Sequence, residues 1–323
     1  MAGRRARAGL VLSAAALTVS LAACDIRLET PVEPTPTADA ATAARDLAAR
    51  NEAAIIAALH AGAAVGSGRA ELASIESLAA PAHLEVLGGV YVPFPDAATP
   101  TPSPEAAPGD LRAAVTRARD DALDLAFHAS DAPQGFLSGS IGFSHAFALW
   151  HAGVVDARRA GANVPVVAER ALPGPYGEGV SLVPEASALA PGALAELAVW
   201  HDKARFTYEA IAARESGARR ALALERAAIH RERADALVAL AGIDDRSPVY
   251  ELPNAAIADE TSRDTAARET EASLGWRYME LTSGVSAEDR AWLMSAAFDA
   301  YAASATLPGF TTAQFPVLPG TAS

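Results

Sequence analysis

Three side chains interrupt otherwise apolar helical seams, and their types could do chemistry together. His201 falls in the series Leu194, Leu197, His201, Ala204, Tyr208 and Ile211, whose three- and four-residue steps trace one face of a helix. His230 falls among Ala223, Ala227, Ala234, Leu237 and Ala241, and Glu271 among Ala267, Leu274, Tyr278 and Leu281. Helices packed along those seams would bring two imidazoles and a carboxylate to one core. That is a three-ligand set for a divalent metal such as iron or manganese, with Glu225 a candidate to complete it. The same residues, with Tyr208, also describe a buried hydrogen-bonded cluster that fixes helix register without any ion. The sequence favours the second reading, since such a network needs no further ligand, and no cofactor is expected.

Other candidates are weaker. Asp121, Asp124 and His128 share a helix face, but Val115, Ala118, Ala122 and Leu125 form the more convincing core stripe, so the acidic face reads as solvated. His145 lies on the seam Ile141, Ala148, Ala152 and Val155 and reads as a satisfied core histidine. His60, His83 and His151 carry no usable spacing. The chain has no glycine-rich phosphate loop and no Gly-x-Ser-x-Gly elbow. Gly139-Ser140-Ile141-Gly142 sits inside a helical pattern, where small residues let helices approach closely. No nucleophile has a histidine and a carboxylate in recognisable order, so the sequence supports no hydrolase and more generally no enzyme.

The elements that must position these residues follow from composition. The chain has 323 residues, 51% hydrophobic, 6% aromatic and 20% charged, enough for one large or two ordinary domains. Its apolar excess is mostly alanine, which favours helices packed through small residues over sheets of branched ones. Basic residues number 26 and acidic residues 39, a net charge of −13, which excludes a nucleic-acid binder.

The N-terminus carries an address. Arg4, Arg5 and Arg7 precede an uncharged apolar run from about Ala8 to Ala23, too short for a comfortable membrane span. The run ends Leu21-Ala22-Ala23-Cys24, with the chain's only cysteine at the position that a bacterial lipobox modifies. The pattern predicts a signal peptide over 1–23, cleavage before Cys24 and lipidation of that residue. The mature protein would then be membrane-anchored and extracytoplasmic, without disulfides or a thiolate metal site. Prolines 31, 34 and 36 make 24–37 a semi-extended tether reaching on the order of 40 Å.

From Ala38 the pattern is helical throughout, with eight helices at about 38–63, 69–87, 109–129, 132–156, 191–216, 218–241, 259–282 and 286–306. Asp131-Ala132-Pro133-Gln134 has capping-box spacing with proline in the first turn, and Ser286 precedes two first-turn acids, Glu288 and Asp289. Connections run short, long, short in each half, which is ferritin-like bundle connectivity. The halves also align: at an offset of 151 residues Leu123 falls on Leu274, Ser144 on Ser295 and Phe147 on Phe298, and Val164-Pro165-Val166-Val167 on Phe315-Pro316-Val317-Leu318. The expected organisation is all-α, with tandem ferritin-like four-helix units at 38–167 and 191–320 joined by a linker at 168–190.

The second half resembles the ferritin-like domain of unknown function found in actinobacterial lipoproteins. The resemblance rests on Ala195-Glu196-Leu197-Ala198-Val199-Trp200-His201 with Tyr208, on Ala228-Ile229-His230-Arg231-Glu232-Arg233-Ala234-Asp235-Ala236-Leu237, and on Phe315-Pro316-Val317-Leu318-Pro319. It covers about 190–320 and implies a fold and a location, with no activity to carry over. Di-metal centres in such bundles use Glu-x-x-His pairs, and this chain contains none. Glu196 and His201, like Glu225 and His230, are five apart, about 140° around a helix. The leading expectation is a lipid-anchored envelope protein that binds or scaffolds an unknown partner, with the apolar Tyr91-Val92-Pro93-Phe94 crossover as one candidate surface. The alternatives are an iron- or manganese-binding protein using His201, His230 and Glu271, and a small-ligand carrier with a cavity lined by Trp200, Trp276 or Trp292.

Overall fold

A computed structural model describes residues 38–62, 67–92, 110–129, 131–162, 164 and 169–321. The signal peptide, Cys24 and tether expected at 1–37 lie outside the described residues, as do Pro93, Phe94, Pro165, Val166 and Val167. Asp39–Ser323 is one compact unit.

Among the described residues the fold is all-α, with eight helices and no strand. They are α1 (Ala40–His60), α2 (Ser67–Val86), α3 (Leu111–His128), α4 (Ala132–Arg159), α5 (Pro191–Arg214), α6 (Gly217–Ala241), α7 (Glu260–Glu280) and α8 (Ala287–Thr306). The two sequence-predicted starts are capped as their residue types require. The Asp131 carboxylate accepts from the Gln134 N–H at 3.0 Å and Ser286 Oγ from the Asp289 N–H at 3.1 Å. α6 stops at Gly242, whose left-handed φ of 66° ends the helix where a side chain would be strained.

Helices α1–α4 pack on one another, as do α5–α8. The largest buried apolar cluster draws on both groups, and each group has a smaller one of its own. Phe143 and Phe147 of α4 meet Phe298 and Tyr301 of α8 at ring separations between 5.7 and 6.0 Å, so aromatic burial joins the groups. After α8 the chain returns to the first group, where Phe315 packs on Phe147 at 5.4 Å and the Ser140 hydroxyl donates to the Pro319 carbonyl.

Close helix approach depends on glycine at two positions. A Cβ on Gly142 would meet the Leu123 side chain at 2.8 Å, which explains the small residues in the Gly139–Gly142 stretch. A Cβ on Gly275 would lie 2.6 Å from the Tyr301 ring. Gly275→Ala should gain about 1 kcal/mol of helix preference, yet lose about 1–3 kcal/mol to overpacking. A lower midpoint in urea denaturation is the expected result; a higher midpoint would show that Tyr301 yields freely.

Candidate metal centre

The structure brings His201, His230 and Glu271 together. All three are buried, with His201 Nδ1 3.0 Å from His230 Nδ1 and His230 Nε2 3.1 Å from Glu271 Oε1. The partners dictate the protons. Glu271 can only accept, so His230 Nε2–H donates to it and His230 Nδ1 keeps a lone pair. His201 Nδ1–H donates to that lone pair, and His201 Nε2 then accepts from the Tyr278 hydroxyl at 2.6 Å. The chain Tyr278 to His201 to His230 to Glu271 thus runs in one direction and uses every ring nitrogen.

Glu271 is equally occupied. Arg226 Nε and Nη2 bind its two oxygens at 2.6 and 2.8 Å, and the Tyr208 hydroxyl donates to Oε1 at 2.9 Å. Arg226 Nη2 also reaches Asp299 at 3.0 Å, and Arg233 reaches the same carboxylate at 2.9 Å. Burial drives the His201 imidazole well below its ordinary pKa, and its neighbours His230 and Arg233 push in the same direction. Burial lowers His230 as well, with Glu271 opposing it only in part. Burial alone would raise Glu271 and Asp299, but the arginines outweigh it and hold both below the usual carboxylate range.

Every imidazole nitrogen of this cluster is taken by a hydrogen bond, and two guanidinium groups already fill the cationic role. The donor set does not fit a metal; it fits the register-fixing network. Glu225 is exposed on α6 and takes no part. Of the three tryptophans offered as lining a cavity, Trp200 lines a surface pocket with Ala204, Leu252 and Ser273. Trp292 is buried with its Nε1–H on Asp289, Trp276 is exposed, and Trp200 lies beneath the cations of Lys203 and Arg277.

The first cluster in chain order lies in the first helical group, and little of it is legible in the sequence. Glu52 of α1, Glu76 and His83 of α2 and His145 of α4 are each no more than 1% exposed. His145, read from sequence as a satisfied core residue, lies between two carboxylates, with Nε2 2.9 Å from Glu52 and Nδ1 3.1 Å from Glu76. Burial opposes its charge, but Glu76 and Glu52 prevail and raise its pKa to about 10. Burial likewise opposes the Glu52 charge, and His145 with His83 holds that carboxyl at about 2.

His83 differs from every other imidazole of the two clusters. Its Nε2 lies 2.8 Å from the Val317 carbonyl, so Nε2 must carry a hydrogen to donate. In the neutral ring, Nδ1 is then a lone pair, and it faces Glu52 Oε2 at 3.4 Å. With His83 neutral, two electron-rich atoms point at each other in a buried site; with the ring doubly protonated, Nδ1 faces Glu52 as an ion pair, the form in which His83 lowers that carboxyl. His83 Nδ1, Glu52 Oε2 and Glu76 Oε2 have no hydrogen-bond partner. One donor atom each from Glu52, His83 and His145 can be chosen so that all lie within 4.8 Å of one another. No arginine or lysine shares this cluster's hydrogen bonds or ion pairs among the described residues.

The remaining sequence candidates sit in ordinary surroundings. His128 and Asp124 are exposed, as their solvated face required, while Asp121 accepts from the Asn51 amide at 2.8 Å. Tyr91 is tied by its backbone N–H to Asp46 at 2.7 Å, and Val92 is exposed. No described helix is long and apolar enough to cross a membrane. Comparisons with protein-family models, curated proteins and solved structures found no match.

Proposed function

We propose that this protein is a lipid-anchored, extracytoplasmic helical protein whose first four-helix group holds a divalent transition-metal ion on Glu52, His83 and His145. The observation that carries the reading is the His83 lone pair, fixed by the Val317 carbonyl and aimed at a carboxylate. A cation between them turns that repulsion into coordination. With His83 neutral the charge count agrees: two carboxylates against the His145 imidazolium leave one excess negative charge, and exchanging the His145 Nε2 proton for a divalent ion leaves none.

The outer contacts suit the same role. Glu76 accepts from His145 Nδ1–H and Val317 accepts from His83 Nε2–H, the two kinds of partner that orient metal-bound imidazoles. Two imidazoles and one carboxylate suit iron, manganese or zinc, and an ion so held keeps coordination positions for an outside ligand. The membrane anchor is argued from Cys24 and the residues before it, and the two helical groups are read as tandem ferritin-like units from their short, long, short connections. A purely scaffolding role drew on the lack of a chemical constellation in the sequence, and the Glu52 cluster weakens that argument.

The test uses Asp39–Ser323, which holds the core of the described residues, titrated separately with Mn2+, Fe2+ and Zn2+ after chelator treatment. About one ion per chain is expected for at least one metal. Glu76→Gln should weaken binding about 10–100-fold through the outer contact, with His83→Ala weaker still. Exposed His128→Ala should bind like the parent. No binding by the parent, or equal binding by His83→Ala, would remove the proposal.

A further inference from the structure

The second helical group contains a cavity of about 150 Å³, walled by Tyr208 and Ile211 of α5, Ala223 and Arg226 of α6, Ala267 of α7 and Ala303 of α8. A cavity of that size in an apolar lining is large enough for a ring of benzene dimensions. One wall is polar. Arg226 is 2% exposed, its Nε and Nη2 are held by Glu271 and Asp299, and its Nη1 has no hydrogen-bond partner. Arg219 Nε, on the same lining, also has no partner. Each buried guanidinium N–H without an acceptor costs free energy, so the site is short of two acceptors, of which the deeper is at Arg226.

We infer that this cavity binds a small, uncharged, mostly apolar molecule whose single carbonyl oxygen accepts from Arg226 Nη1. The apolar walls select the body of the ligand and the guanidinium selects its oxygen. The ionic surroundings select against charge. Arg226 is already neutralised by Glu271 and Asp299, and at the mouth Arg219 and Arg263 pair with Glu215 and Asp264. A carboxylate ligand would therefore bring an uncompensated charge into a poorly solvated site. The site lies on a different helical group from Glu52, His83 and His145 and does not depend on metal.

Three probes of equal heavy-atom count separate these contributions: acetophenone, cumene and benzoate. Each is titrated into 15N-labelled Asp39–Ser323 and followed by amide chemical shifts. Acetophenone should perturb amides around Ala223, Ala267 and Ala303 and bind about tenfold or more tightly than cumene, the difference made by a hydrogen bond to a charged donor. Benzoate should bind more weakly than acetophenone. Ala223→Leu, which fills the cavity from α6, should abolish the shifts while keeping a folded spectrum. Ala303→Leu applies the same test from α8. Absence of acetophenone binding, cumene binding as tightly, benzoate binding as tightly or more so, or undiminished binding in both filled variants would each overturn the inference. Metal titration of the same samples stays unchanged in every case, so this outcome is read apart from that of the metal centre.

Discussion

Arg226→Met should destabilise the protein by about 3–5 kcal/mol, a large share of the roughly 5–15 kcal/mol that holds a folded domain together. Methionine keeps most of the side-chain volume, so the loss is electrostatic rather than a cavity. Glu271 loses both of its guanidinium hydrogen bonds while remaining buried, and Asp299 loses one of its guanidinium partners while keeping Arg233 and the Arg170 backbone donor. The size of the effect comes from stranding a charge in the core. Adding Glu271→Gln to Arg226→Met should therefore recover more than half of it, because the stranded charge is gone. The half-exposed pair of Arg246 with Asp235 gives the contrast, and Arg246→Ala should cost less than about 1 kcal/mol. Urea denaturation of the three variants checks the order. A loss below about 1 kcal/mol for Arg226→Met would mean that the buried network is solvated or not formed.

Acid should unfold the second helical group far above the pH at which carboxylates normally protonate. Both His201 and His230 have folded-state pKa values lowered from 6.5, so the unfolded chain binds their protons first. Their contribution is present above the unfolded value and is lost as pH falls below it. Each imidazole held fully neutral gives a slope of up to about 1.4 kcal/mol per pH unit below 6.5, and the pair up to about 2.8. Glu271 and Asp299, whose pKa values are also depressed, add to the loss below about pH 4.5. The urea midpoint should be highest near pH 6.5. Above that pH the His145 contribution is lost by up to about 1.4 kcal/mol per pH unit, because its folded pKa is raised to about 10. Below it the midpoint should fall steeply between pH 6 and 5. His201→Gln should halve the steepness. A midpoint unchanged down to pH 5 would show that the histidines accept protons in place.

Much of the second cluster was legible because each of its members breaks an apolar seam. His201, His230 and Glu271 sit where leucine, alanine and tyrosine define the stripe, and helical periodicity alone points them inward. Arg226 and Arg233 lie on that same stripe of α6, four residues before and three after His230. They were hidden by an arginine-rich helix whose other arginines, such as Arg231, are exposed. Their presence decides the chemistry, since guanidinium groups and a metal compete for one carboxylate.

The first cluster was less legible for a different reason. Glu76 and His83 are seven residues apart, two turns on one face of α2, and a search confined to the i, i+3 spacing of di-metal bundles passes over them. That spacing was the available signal. What no local pattern could supply is the Val317 carbonyl, 234 residues away from His83 in sequence, which fixes the histidine's proton. The helices themselves follow from alanine content, caps and proline positions, and all eight lie within a few residues of the sequence pattern.

The central claim is tested most directly by anomalous diffraction from crystals of Asp39–Ser323 grown with one equivalent of Mn2+ or Zn2+. One strong anomalous peak is expected among Glu52, His83 and His145, with Glu76 and the Val317 carbonyl in the outer shell and none at His201, His230 and Glu271. A peak at the second cluster, or a metal-free first cluster in crystals that bind the ion elsewhere, would contradict it.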